Sequence, residues 1–165
     1  MDDILIKFKE VVDEEIQAYE KLGELYKIKQ SILMQRKTDE LWNIDAQILD
    51  RAENIKEINR KRKELSKYLG NEDITLSEVI EKAKASNDSL VGKLENQQTT
   101  LKVLSKTIAL QETTNMTLVK HGLTVVGKTM DIIINAVAPH SKQYNEKGKN
   151  VGIDKSMMSS IVEEV

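Results

Sequence analysis

The sequence has no cysteine, one proline, one phenylalanine and one tryptophan in 165 residues. Without cysteine there is no disulfide, no thiolate metal site and no cysteine nucleophile, a composition that suits a reducing cytoplasm. A single proline argues against a loop-rich sandwich or barrel, whose turns draw on proline repeatedly. Aromatics make up 4% of the chain, too few for a thick aromatic core. No apolar run approaches the roughly 20 residues that a membrane span needs, and the acidic start Met1-Asp2-Asp3-Ile4 does not read as a signal peptide. Neither charge sign dominates. The 25 Lys plus Arg and 27 Asp plus Glu leave a net charge of −2, which provides no overall pull toward nucleic acid or an anionic membrane.

What is present is charge and aliphatic carbon. Charged residues are 32% of the chain, and the apolar ones are mostly Ile, Leu and Val, as in long helices washed by solvent. The length suits one domain. The expectation is a soluble, cytoplasmic, all-α protein.

Hydrophobic periodicity organises the chain. Over residues 2 to about 34, Leu5, Val12, Tyr19, Tyr26 and Leu33 recur every seven positions, and Phe8 and Leu22 fill the complementary sites. Glu15 and Lys29 occupy the two remaining seam positions. Asp2 and Asp3 stand where a helix N-terminus favours negative charge. A break is expected at Gln35-Arg36-Lys37, with Thr38 as N-cap of the next helix and Asp39 and Glu40 in its first turn. Over residues 39–69, Leu41, Ile48, Ile55 and Leu69 share one register, and Ile44, Ile58 and Leu65 the other, with Arg51 and Arg62 as exceptions. The short break makes these two helices antiparallel neighbours. Gly70 closes the second of them.

Thr75-Leu76-Ser77-Glu78 has the pattern of a capping box and opens a short helix to about Ala85. After a weak spot at Ser86-Asn87-Asp88, a long helix is expected from about Ser89 to Ala138. Its seam carries Leu90, Leu94, Leu101, Leu104, Ile108, Leu118, Val125 and Ile132, interleaved with Gln97, Gln111, Asn115, Gly122, Thr129 and Ala136. Small residues on a seam let a neighbouring helix approach closely, and a buried Asn fixes register at some cost in stability. Toward its end a second apolar stripe joins the first: Val119, Leu123, Val126, Met130, Ile133 and Val137. A helix that is apolar on two sides has to bury two sides. Either the bundle covers both stripes or the spare one is a binding surface.

Pro139 ends the helix, and the polar stretch from His140 to Asn150 reads as a flexible linker. Beyond Gly152, Ile153, Met157, Ile161 and Val165 recur every four residues, beside Met158 and Val162. That is a short amphipathic helix, too short to persist alone in water, so it must dock on its own bundle or on a partner. The expected architecture is therefore an antiparallel, coiled-coil-like bundle over residues 1–138, with three long helices and one short one. A linker and tail helix follow over residues 139–165.

Several local patterns carry competing meanings. Gly122-Leu123-Thr124-Val125-Val126-Gly127-Lys128-Thr129 fits the P-loop pattern letter for letter. A P-loop, however, follows a buried strand and opens a helix so that its N–H groups face phosphate. Here both flanks read as one helical stripe, the middle is β-branched, and no strand with a terminal Asp is in sight. The favoured reading is glycines that ease helix packing, and a nucleotide binder is a remote alternative. Arg60-Lys61-Arg62-Lys63 points around most of a helix circumference, so it forms no single basic face. The net charges of −3 over residues 1–35 and +2 over residues 36–69 suit pairing between the first two helices. His121 and His140 lack helical ligand partners, so neither a metal nor another cofactor is expected. Asp13-Glu14-Glu15 diverges around its helix with no base or nucleophile to complete a site, so an enzyme is not expected.

Taken together, the antiparallel pair of Leu/Ile-rich heptad helices, the short helix and the long last helix with Asn115-x-x-Leu118 resemble the FlgN-type flagellar export chaperones. The tail Tyr144-Asn145-Glu146-Lys147-Gly148-Lys149 adds to the likeness. The resemblance spans essentially the whole chain, which departs from it in the Gly122/Gly127 pair and in the Met157-Met158 tail helix. It implies a cytoplasmic, non-enzymatic chaperone that binds the helical C-terminal segments of the hook-associated, or hook–filament junction, proteins. Such a chaperone keeps its clients unassembled and export-competent, and docks them at the cytoplasmic domain of the export gate. The membrane is then approached only through the export apparatus. Carried onto this chain, the client groove would use Leu118, Val119, Leu123, Val126, Met130, Ile133 and Val137. Tyr144 would serve gate docking, and Met157, Ile161 and Val165 would form the tail face that covers the spare stripe. A homodimer is left open. The alternative in another class is a generic coiled-coil scaffold or adaptor, which explains the heptads but gives Tyr144 and its linker no role.

Overall fold

Two long antiparallel helices form the frame of the computed structural model. The structure describes residues 2–86, 88–137, 143–144 and 150–151; for 88, 137 and the last two pairs it describes the backbone alone. Helix α1 spans Asp2–Gln35, α2 Leu41–Leu69, α3 Leu76–Ser86 and α4 Asp88–Val137. A two-residue antiparallel pairing joins Gln143–Tyr144 to Asn150–Val151. This is the all-α, three-long-plus-one-short architecture that the periodicity predicts. The chain divides into two compact units, residues 1–121 and 122–165.

The ends of the elements follow from local chemistry. At the end of α1, Arg36 takes a left-handed φ of 58°, and the Lys37 N–H donates to the Ile32 carbonyl at 3.1 Å. That is the six-to-one bond of a Schellman turn, made here without glycine. A 3-10 turn, Thr38–Glu40, then leads into α2. Thr38 is therefore not the N-cap of α2. Glu40 stands in that position, with no side-chain capping bond. After the tight turn at Arg36, the chain needs this extra half-turn before its axis can reverse, and that turn displaces the cap. Gly70 ends α2 at φ 149°, a conformation that side-chain-bearing residues rarely adopt. The capping box at α3 is complete: Thr75 N–H donates to Glu78 Oε2 at 2.7 Å, and Glu78 N–H donates to Thr75 Oγ1 at 3.3 Å.

In the first unit the core lies in two adjoining clusters. Leu5, Phe8 and Val12 of α1 meet Leu69 of α2, Val79, Ile80 and Ala83 of α3, and Leu90 and Leu94 of α4. Further along, Ala18 and Leu22 pack with Ile55 and Ile58 of α2 and Ile108 of α4. The short helix α3 thus plugs one end of the bundle, and α4 runs along the α1–α2 pair in the direction of α1. Burial of each such side chain contributes roughly 1.5–3 kcal/mol, so these clusters hold the three-layer packing.

One charged exception from each seam meets the other. Arg62 Nη1 donates to Glu15 Oε2 at 2.7 Å, with the Glu15 side chain almost fully buried. Lys29 pairs with Asp45 at 2.6 Å, and Lys61 with Glu14 at 3.7 Å. Burial raises the Glu15 carboxyl above the usual glutamate value, and the Arg62 guanidinium beside it pulls the other way. Two of these three pairs join an α1 carboxylate to an α2 cation, the sense that the net charges of the two segments favour.

Candidate functional site

The seam of α4 is a heptad that changes partner along its length. Leu90, Leu94, Gln97, Ile108 and Asn115 are buried, and Leu101, Leu104, Gln111 and Leu118 half-buried. The polar members tie α4 to α1 through its backbone. The Gln97 side-chain amide donates to the Lys9 carbonyl at 2.9 Å and also to the Asp13 carboxylate. Asn115 Nδ2 donates to the Tyr26 carbonyl at 2.9 Å. These bonds fix the register of α4 against α1 at two points, the role that a buried polar residue plays on an apolar seam. After Tyr26, α1 has nine residues left, Gln35 included, whereas α4 has 22 left after Asn115, Val137 included.

From Gly122 onward the same heptad is exposed. Gly122, Val125, Thr129, Ile132 and Ala136 all lie open, Val125 by 45% and Ile132 by 69%. The second stripe is open as well: Leu123 by 67%, Val126 by 56%, Met130 by 47% and Ile133 by 53%. Solvent-facing aliphatic side chains packed this densely on one helix mark an interaction surface. At about 100° per residue, the apolar and small residues from Ile132 round to Gly127 cover roughly 220° of the circumference. Asp131, Thr124, Asn135 and Lys128 occupy the remaining strip. The arrangement can bury helices. It holds no carboxylate pair, nucleophile or ligand cluster that would do covalent chemistry, and among the described residues no three His, Asp or Glu side chains are grouped to hold a metal ion.

Each residue expected in the groove has a definite place. Leu123, Val126, Met130 and Ile133 form one exposed stripe, and Val119, at 36% exposure, lies on the same face in the first unit. Leu118 belongs to the adjoining seam and is half-buried. Val137 and Tyr144 are described by backbone only, Tyr144 paired opposite Asn150. Met157, Ile161 and Val165 lie outside the described residues, as does His140.

Among the described residues, a Cβ added at Gly122 or Gly127 would meet nothing within 4 Å, so no described helix packs against either glycine. The P-loop pattern is helical throughout, which commits its N–H groups to carbonyls four residues back. Its terminal hydroxyl is used in the same way: Thr129 Oγ1 donates to the Val125 carbonyl at 2.9 Å. Sequence reasoning placed Val125 and Ile132 on an internal seam and passed over Trp42, which is 86% exposed. Position 42 lies off the Ile44/Ile48 seam of α2, a signal that could have flagged it.

The family model described as FlgN protein matches residues 1–152. This chain belongs to the FlgN family. No curated protein and no solved structure matches it. FlgN proteins are chaperones of flagellar export, and that general role comes with membership of the family. No helix among the described residues is long and apolar enough to cross a membrane.

Proposed function

We propose that this FlgN chain binds the C-terminal helical segments of hook–filament junction proteins on the exposed stripe Leu123, Val126, Met130 and Ile133, extended by Val119 on one side and Val137 on the other. The client lays an amphipathic helix against the stripe with anchors at helical spacing, burying its apolar carbon. The client helix is thereby kept from assembling with its own kind. The complex acts in the cytoplasm, without enzymatic chemistry, and Tyr144 serves to dock it at the cytoplasmic domain of the export gate. In the absence of client, the tail face of Met157, Ile161 and Val165 rests on the stripe too weakly to add much stability, and client binding displaces it. Affinity then reflects the difference between the two packings. Met130 and Met157 suit such an exchange, because an unbranched thioether repacks against different partners.

One observation carries this reading: four aliphatic side chains in register on α4, each between 47% and 67% exposed. The test is a calorimetric titration of the full chain with a client C-terminal helix. Val126→Asp with Met130→Asp is expected to weaken binding at least a hundredfold, two charges being forced into an apolar contact. Thermal melting should stay within about 0.5 kcal/mol of the parent, as for other surface changes. Unchanged affinity would remove the stripe from the mechanism.

A further inference from the structure

The client stripe uses less than half of the apolar arc on the end of α4. Leu123, Val126, Met130 and Ile133 centre on one direction, whereas Gly122, Val125, Thr129, Ile132 and Ala136 centre about 100° away at 100° per residue. A single helix packs along one such seam and leaves the other wet. The second set is no accidental extension of the first. It repeats, at a strict seven-residue interval, the heptad that α1 covers upstream through Leu94, Gln97, Ile108 and Asn115. It is therefore continuous in register with an interface that already exists in the first unit, with a different residue choice. One position per heptad is large (Val125, Ile132) and the other small (Gly122, Thr129, Ala136). The Thr129 hydroxyl is satisfied within its own helix and asks nothing of a partner. The small positions are open notches, since nothing lies within 4 Å of a Cβ at Gly122.

We propose that this second seam seats a second client helix, distinct from the one on the Leu123–Met130 stripe, so that the end of α4 becomes the shared strand of a three-helix assembly. The inference rests on the client reading above and deepens it. The second helix presents large apolar side chains opposite Gly122, Thr129 and Ala136. It carries a carboxylate where Lys128 borders the seam, while Asp131 stands at the far side of the same polar strip. A second copy of this chain fits less well. In parallel register it would set the small residues against themselves and leave voids, and in antiparallel register it would bring Lys128 against Lys128.

The absence of cysteine makes the test direct. Ile132→Cys on the seam and Leu123→Cys on the stripe, each in the full chain and each carrying a benzophenone, are photo-crosslinked to a full-length hook–filament junction protein, and the adducts are mapped by mass spectrometry. The expected result is that the two probes label two separate segments of one client. Lys128→Glu should weaken binding roughly two- to fivefold, as for one exposed charge pair, and Lys128→Arg should leave it unchanged. Labelling of one and the same client segment by both probes overturns the two-helix assembly. So does labelling of another copy of this chain from Ile132→Cys, or labelling from Leu123→Cys alone. If neither probe labels the client while the chain remains folded, the client reading itself fails, an outcome distinct from the others.

Discussion

The two stretches of α4 differ little in sequence pattern and greatly in environment. From Leu90 to Leu118 and from Gly122 to Ala136 the same heptad runs without a slip, yet the first stretch is buried or half-buried and the second is open at every seam position. Periodicity specifies which face of a helix seeks burial, and it is silent on whether anything is there to meet it. What distinguishes the stretches is the residue content of the seam. The covered part spends polar residues, Gln97 and Asn115, on bonds to the α1 backbone, as suits a permanent contact that needs one register. The open part has Gly122, Thr129 and Ala136 in the alternate positions and carries a second stripe beside it. Such a surface exchanges partners without breaking a buried hydrogen bond, which matches the transient binding expected of an export chaperone.

The comparison breaks most visibly under large-to-small substitution. Phe8 is 1% exposed and meets the buried end of α4 through the Leu90–Leu94 cluster. Phe8→Ala should cost about 3–5 kcal/mol, read as a shifted urea midpoint with little change in slope. Leu123→Ala removes about half as much carbon and should change stability by less than about 0.5 kcal/mol, far below half of the Phe8 loss. Equal losses at the two sites would mean that the stripe is as firmly packed in the free chain as the core is, and not covered by a weakly held tail.

Next in size is the ion pair that crosses from α1 to α2. Arg62→Ala leaves the 3%-exposed Glu15 carboxylate without its partner and should cost about 3 kcal/mol at neutral pH, the lower end for a buried pair because Arg62 is itself partly open. The pH dependence has a definite sign. Burial raises Glu15 above its unfolded value, so between the two values the folded chain holds more protons than the unfolded one, and stability falls as pH rises through that window. The Arg62→Ala chain should show a steeper fall than the parent, since the guanidinium that favours the carboxylate is gone. Glu15→Gln should abolish this contribution. Stability of Arg62→Ala that rises with pH across the window would show that Glu15 is not the group in control.

Much of this was legible in the residues themselves, and the misses have physical causes. The capping box at Thr75–Glu78, the stop at Gly70 and the α1–α2 seams follow from local rules, and the structure places all of them as expected. Thr38 fails as an N-cap because the left-handed Arg36 sets the exit direction of the chain, a three-dimensional constraint that cap statistics do not contain. Glu15 and Arg62 each stood out as an exception to a seam, but their pairing requires the antiparallel offset of two helices, which neither seam fixes alone. The FlgN resemblance was carried mostly by the last helix and the Tyr144–Gly148 tail, and the family match, over residues 1–152, covers both. Reading Gly122 and Gly127 as packing glycines supposed a neighbour, and none of the described residues supplies it.

The smallest expected effect sharpens the comparison from the side of the backbone. A glycine within a helix costs roughly 0.5–1 kcal/mol relative to alanine, through the greater freedom it regains on unfolding. Where a partner fills the space beside it, that cost is offset by close packing. Gly23 on α1 is such a case, with Gln111 Oε1 3.6 Å from where its Cβ would be, whereas the space beside Gly127 is open. Gly127→Ala should therefore slow amide hydrogen exchange around residue 127 by the factor corresponding to about 0.5–1 kcal/mol, roughly two- to fivefold. Gly23→Ala should gain less, since its methyl group must share space with the α4 side chain. If exchange near residue 127 does not slow, the open stretch of α4 is already held by something other than its own helical bonds. If the alanine at 127 also weakens client binding, the glycine serves the client, and the seam was built for close approach after all, with the neighbour supplied by another protein.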